Sequence, residues 1–137
     1  MSSIPVPRSP EEFFAGSAVG LTLYRRVAQA VDGLGEAEVR VTKSQIAFTS
    51  RRGFAYVWRP DRYLTTAVPA VLSIALPRPV SSARVKSVVH PSPGVWMHHI
   101  ELNEVADVDD AVISWLGEAR ENASSAVRHG KSEGTDA

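Results

Sequence analysis

The stretch Ala37-Glu38-Val39-Arg40-Val41-Thr42-Lys43-Ser44-Gln45-Ile46-Ala47-Phe48-Thr49-Ser50-Arg51-Arg52-Gly53-Phe54-Ala55-Tyr56-Val57-Trp58 decides the fold. Before it, apolar residues recur every three or four positions; within it they alternate. Val39 and Val41 alternate with Glu38 and Arg40, which predicts a strand over 37–41. Two more strands are predicted over 44–49 and 54–58. Ser50-Arg51-Arg52-Gly53 joins them as a hairpin turn in which glycine takes positive φ. Two registers compete. A two-residue Arg51-Arg52 loop sets Phe48 opposite Ala55 and Ile46 opposite Val57, leaving Phe54, Tyr56 and Trp58 as a stripe on the other face. A loop that includes Gly53 as a bulge pairs Phe48 with Tyr56 and Ile46 with Trp58, all in the core. Arg-Arg-Gly suits a type I turn plus bulge, so the second register is the expectation.

Upstream, Ser9, Pro10 and Glu12 read as a capping box that starts a short helix carrying Phe13 and Phe14 and stopping near Gly16. A second helix is predicted over 17–34, with Val19, Leu23, Val27, Val31 and Leu34 as its apolar stripe and Gly33 or Gly35 at its end. Downstream, Ala70 to Leu76 is almost wholly apolar and reads as a central strand. Residues 84–89 and 95–102 form a last hairpin around Pro91-Ser92-Pro93-Gly94. Alternation then places Trp96, His98, Ile100 and Leu102 on the core face and Val95, Met97, His99 and Glu101 on the other, with His99 pointing outward. The final helix is expected to start at Asp107 as N-cap, with Asp109 and Asp110 near the positive end of its dipole. Val108, Val112, Trp115, Leu116 and Ala119 make its buried stripe.

Helices, then hairpin-linked strands, then a helix define an α+β fold. A mostly antiparallel sheet of about five to six strands carries two long helices, N- and C-terminal, on one face. The other face is left for solvent or a partner. Residues 1–8 are expected as an irregular leader, 9–121 as a single domain and 122–137 as a disordered polar tail.

The 137 residues suit one domain, and 15 basic against 15 acidic residues give no global pull toward nucleic acid or an anionic membrane. The absence of cysteine removes disulfides, thiolate metal sites and cysteine nucleophiles. The N-terminal residues lack the apolar run of a signal peptide, and the longest near-apolar stretch, 67–77, is roughly half a membrane span. A cytoplasmic protein without a membrane segment is the expectation.

Glu12-Phe13-Phe14 before a helix, the run Thr42 to Phe48, Arg52-Gly53-Phe54-Ala55, His98-His99-Ile100-Glu101-Leu102 and Val108-Asp109-Asp110 together resemble a bacterial family named domain of unknown function 5655. The resemblance spans residues 9–120 and rests on the order and spacing of short motifs. It implies no established activity. Members carry Thr-Lys before the strand and a histidine in the last strand, and Lys43 and His98 are the matching positions.

Lys43 beside the hydroxyls of Thr42 and Ser44 and the turn amides could hold a phosphate or carboxylate. The plainer alternative is a solvated turn whose hydroxyl satisfies local backbone. Arg51 and Arg52, with Arg59, Arg62, Arg84 and Lys86, could form a basic patch beside the aromatic stripe. That arrangement needs the less favoured register and lacks a basic excess, so nucleic acid is not expected. His98 and His99 point to opposite faces and cannot share a metal; His98 fits a hydrogen-bonded core histidine. There is no Gly-x-Ser-x-Gly, phosphate loop or dinucleotide fingerprint, so neither a catalytic residue nor a cofactor is expected.

Two functional readings follow. The first is a non-enzymatic binding module for an anionic small molecule or a protein, with Lys43, Ser44, Arg51, Arg52 and His98 as contacts. The second is a self-associating or partner-docking domain, a homodimer included, using the second sheet face through Tyr56, Trp58, Met97 and the prolines at 77 and 79. An enzyme ranks third and would need His98 open to a cleft beside a carboxylate or lysine.

Overall fold

The structure, a computed structural model, describes residues 6–136, with side chains for residues 6–125. Most of the expected leader, residues 1–5, lies outside the described residues. Helix α1 (Pro10–Phe13) is followed by α2 (Ala18–Asp32), and then by strands β1 (Glu38–Val41), β2 (Ile46–Ser50), β3 (Arg52–Trp58), β4 (Ala70–Leu76), β5 (Ser87–Ser92) and β6 (Val95–Leu102). Helix α3 (Asp110–Asp136) closes the fold. The sheet is antiparallel throughout, in the order β1-β2-β3-β4-β6-β5. Apolar β4 is interior, as its composition implied. The α+β class holds.

Local chemistry explains the helix starts. Ser9 Oγ accepts the Glu12 amide at 3.2 Å, and Ser17 Oγ accepts the Gly20 amide at 3.1 Å. The Glu12 carboxylate turns to the Arg8 amide rather than closing the expected capping box on Ser9. The buried face of α2 is Gly20, Leu23, Tyr24, Val27, Ala30 and Val31. Leu23, Val27 and Val31 are buried as expected, but Val19, expected in that stripe, is 54% exposed, and Gly20 is the buried residue of the first turn. The start of α3 also moves. Asp109 caps it, accepting the Val112 amide at 3.1 Å, whereas Asp107 accepts the amides of Asn103 and Glu104 in a separate 3-10 turn.

All three helices cover one face of the sheet. Phe13, Phe14, Tyr24, Val27, Leu116 and Val112 pack there onto Ile46, Phe48, Leu72, Ile74, Ile100 and Leu102. Tyr24 stacks on Phe48, ring centroids 5.8 Å apart. The helix passes the boundary expected at residue 121: Ala123 is buried in the core, and Ser124 Oγ lies 2.6 Å from Ser50 Oγ.

The β2–β3 register corrects the sequence expectation. Phe48 faces Ala55 and Ile46 faces Val57, and Phe54, with no partner across the strand pair, occupies a bulge. The tip is Arg51, at φ 66°, not Gly53. The bulge turns Phe54 inward beside Ala55, while Tyr56 and Trp58 leave the core for the helix-free face. The aromatic stripe thus loses its first member and keeps two.

Candidate functional site

The helix-free face is built by alternation. One rung across it reads Ala47, Tyr56, Ser73 and His99; the next rung begins Trp58, Val71 and Glu101. Small side chains fall in the middle of the sheet and large ones around them. Ala47, Val71 and Ser73 are buried yet lie outside the hydrophobic core, screened by their own bulky neighbours. This size contrast makes a depression of about 430 Å³ lined by Ser44, Gln45, Tyr56, Trp58, Tyr63, Ser73, Met97 and His99. Tyr63 comes from the loop after β3 and stands 58% exposed at the rim, its ring 6.3 Å from that of Trp58.

A hydrogen-bond chain fixes the walls. Trp58 Nε1–H donates to Ser73 Oγ at 3.0 Å, and Ser73 Oγ lies 2.7 Å from His99 Nδ1. An indole can only donate, so the serine hydroxyl accepts from it and is free to give its own proton to Nδ1. Nε2 then carries the imidazole hydrogen and has no partner among the described residues. Burial, with a smaller effect from neighbouring His98, lowers the His99 pKa, so the ring is neutral at pH 7. The site offers a neutral, oriented hydrogen-bonding nitrogen among aromatic rings and a thioether. Ser73 is 3% exposed and held from both sides, which makes it an anchor for Trp58 and His99 rather than an open nucleophile.

The five residues singled out from sequence do not converge. Ser44 alone lines this cleft. Lys43 is exposed in the β1–β2 turn, whose Ser44 and Gln45 amides already donate to Thr42 Oγ1. Arg52 is exposed near the far end of the β2–β3 hairpin, and Arg51 lines another cleft with Asp32, Glu36, Glu38 and Arg120. His98 is 1% exposed, with Nε2 accepting the Val80 amide at 2.9 Å and Nδ1 bonded to the Trp96 carbonyl. Both its nitrogens are consumed by backbone.

The wider basic patch also separates. Arg59 is buried and donates to the carbonyls of Phe13 and Ala15 and to Asp61; Arg62 donates to the Phe13 carbonyl. Arg84 pairs with Asp109 and with the Asp107 carbonyl at the entry to α3. These arginines fasten helix ends. Among the described residues, no group of three or more His, Asp or Glu is placed to hold a metal ion. No helix among them is long and apolar enough to cross a membrane.

Sequence reasoning missed His99, Ser73, Gln45 and Tyr63 as site residues. The signal was present in pieces. Alternation in β6 grouped Met97 with His99, and the rejected hairpin register put Tyr56 and Trp58 on the face away from the core. Ser73 was the single polar residue in an apolar strand, between Leu72 and Ile74.

Fold and site together define a small α+β domain with an aromatic-walled cleft on the exposed face of its sheet. The chain belongs to the family described as Domain of unknown function (DUF5655), whose family model matches residues 11–123. No curated protein and no solved structure is significantly similar to it.

Proposed function

We propose that this domain is a non-enzymatic binding module whose ligand seats on the helix-free sheet face, between Trp58, Tyr63 and His99. One observation carries the reading: the Trp58–Ser73–His99 hydrogen-bond chain, which fixes a half-buried neutral imidazole and an indole as two walls of one cleft. Few convergent polar groups among aromatic side chains are what small-ligand sites present. No lysine or arginine lines the cleft, so support for an anionic ligand is weaker than for one that brings an apolar or cationic group.

Fragment screening by ligand-detected and protein-detected NMR tests it. Binders are expected to shift the Trp58 indole and His99 ring resonances and to be lost in Tyr63→Ala. Binders that cluster on any other surface, or none at all, would overturn the reading.

Docking of a protein on the same face is the second reading, favoured by the exposed Tyr63 at the cleft rim and by exposed Leu64, which follows it in the chain. Concentration-dependent light scattering that stays monomeric, together with loss of any partner only in rim variants, separates a heterologous partner from self-association.

A further inference from the structure

The geometry points to a methylated ammonium head group as the chemistry that the corner between Trp58, Tyr63 and His99 receives. This rests on the binding-module reading above and names the ligand class of the same cleft. Four features of the cleft bear on it.

The first is charge. Eight side chains line the cleft and none is lysine, arginine, aspartate or glutamate. Three are tryptophan or tyrosine, whose negative ring faces attract a cation, tryptophan most strongly. The nearest arginines of the following loop, Arg59 and Arg62, are turned to the carbonyls at the end of α1 and put no positive charge in the cleft.

The second is shape. Trp58 meets Tyr63 at 58° and His99 at 89°, each with ring centroids 6.3 Å apart. These are walls of a corner, not the parallel faces of a slot. A flat ligand can lie on one wall only and meets the others edge-on. A tetrahedral methylammonium presents a methyl group to each wall at once.

The third is hydrogen-bond accounting. A primary ammonium brings three N–H donors that need acceptors when they leave water. The cleft has no carboxylate to take them. A trimethylated cation has no N–H at all and a weaker hydration shell, so it enters at lower cost. The preference therefore runs toward full methylation.

The fourth is the fixed histidine. Ser73 holds Nδ1, and burial disfavours the imidazolium, so no like charge opposes the ligand at neutral pH. Met97 adds a polarisable thioether to the same wall.

Isothermal titration calorimetry of the full 137-residue chain with choline, and with its neutral isostere 3,3-dimethylbutan-1-ol, tests the charge directly. The two have one shape and differ only in the cation. Choline is expected to bind about tenfold more tightly, the size that a cation over aromatic faces supplies. Tyr63→Phe should keep that ratio, and Tyr63→Ala, an exposed position whose loss spares the fold, should collapse it. Equal affinity for the two isosteres overturns the inference while leaving a binding cleft in place. So does silence with both when fragments of another chemistry shift the Trp58 indole. If no compound of any class perturbs Trp58 or His99, the binding reading falls with it. Short peptides carrying lysine or trimethyllysine assign the source. A trimethyllysine peptide bound at least tenfold tighter than choline marks a modified polypeptide, and parity with choline marks a free metabolite.

Discussion

The hydroxyl of Ser73 lies 2.7 Å from Nδ1 of His99, across the pairing of the adjacent strands β4 and β6. Trp58, one strand further on, donates to the same oxygen. A single polar atom in an apolar strand therefore orients two large side chains that are distant in sequence.

Ser73→Ala removes that atom and leaves the Trp58 N–H and His99 Nδ1 without a partner. The expected loss is about 1–3 kcal/mol, read as a lower urea midpoint at unchanged slope. An unaltered midpoint would mean that the chain contributes nothing.

His99 makes stability depend on pH. Its pKa is lowered from an ordinary 6.5 by burial, so on acidification the unfolded chain takes up the proton before the folded one. The stabilisation is complete above pH 6.5 and is lost as pH falls through the folded-state value. Below that it levels off. Glu11, Asp61 and Glu118, held low by hydrogen bonds from Arg25, Arg59 and Arg78, and Asp109, held low by the Val112 amide, act in a more acidic window. His99→Gln should flatten the stability profile between about pH 7.5 and about pH 5.5, the range around the ordinary imidazole value. A ring titration midpoint at or above 6.5 by NMR would contradict this.

Arg59 moors α1. Arg59→Met keeps the aliphatic stem but strips the donors from the Phe13 and Ala15 carbonyls and the partner from Asp61. The expected cost is about 2–4 kcal/mol, with faster hydrogen exchange in residues 13–17. Arg59→Lys should recover only part, because one ammonium cannot span the three acceptors.

Gly20 is where α1 and α2 close on each other. A β-carbon there would fall 2.5 Å from Cδ1 of the buried Phe14. Gly20→Ala should destabilise by about 1–2 kcal/mol despite alanine's better helix propensity, since the ring has no room to retreat. Thermal denaturation shows the sign.

Arg51 holds a left-handed conformation at φ 66°, which costs a residue with a β-carbon about 1 kcal/mol. Arg51→Gly should raise the unfolding free energy by up to that amount and leave the cleft unchanged. A fall in stability would show that the arginine side chain, through the acidic residues of its own cleft, outweighs the backbone strain.

Much of the fold was legible because it is written in local periodicity. The change from helical spacing to alternation after Leu34 announced α+β. The apolar run in β4 announced an interior strand, and the alternation in β6 assigned His98 and His99 to opposite faces. The register of β2 and β3 was not legible. Two pairings satisfy the same alternation, and the choice turned on whether Gly53 or Arg51 would take positive φ. The structure chose Arg51 and spent the extra residue at Phe54, which lets a phenylalanine reach the core while Tyr56 and Trp58 turn away.

The site suffered most from that ambiguity. Charge and hydroxyl content drew attention to Lys43, Arg51, Arg52 and His98, but residue type says nothing about which groups a fold has already satisfied. Thr42 takes the turn amides, and backbone takes both nitrogens of His98.

The sequence by itself determined the element order, the class and most of the core, because burial follows the period of each element and that period is local. Only the tertiary structure decided the cleft. Its floor and walls come from the β1–β2 turn, β3, β4, β6 and the loop bearing Tyr63, and a depression on a sheet depends on which side chains stand beside one another across strands, a relation no single segment contains.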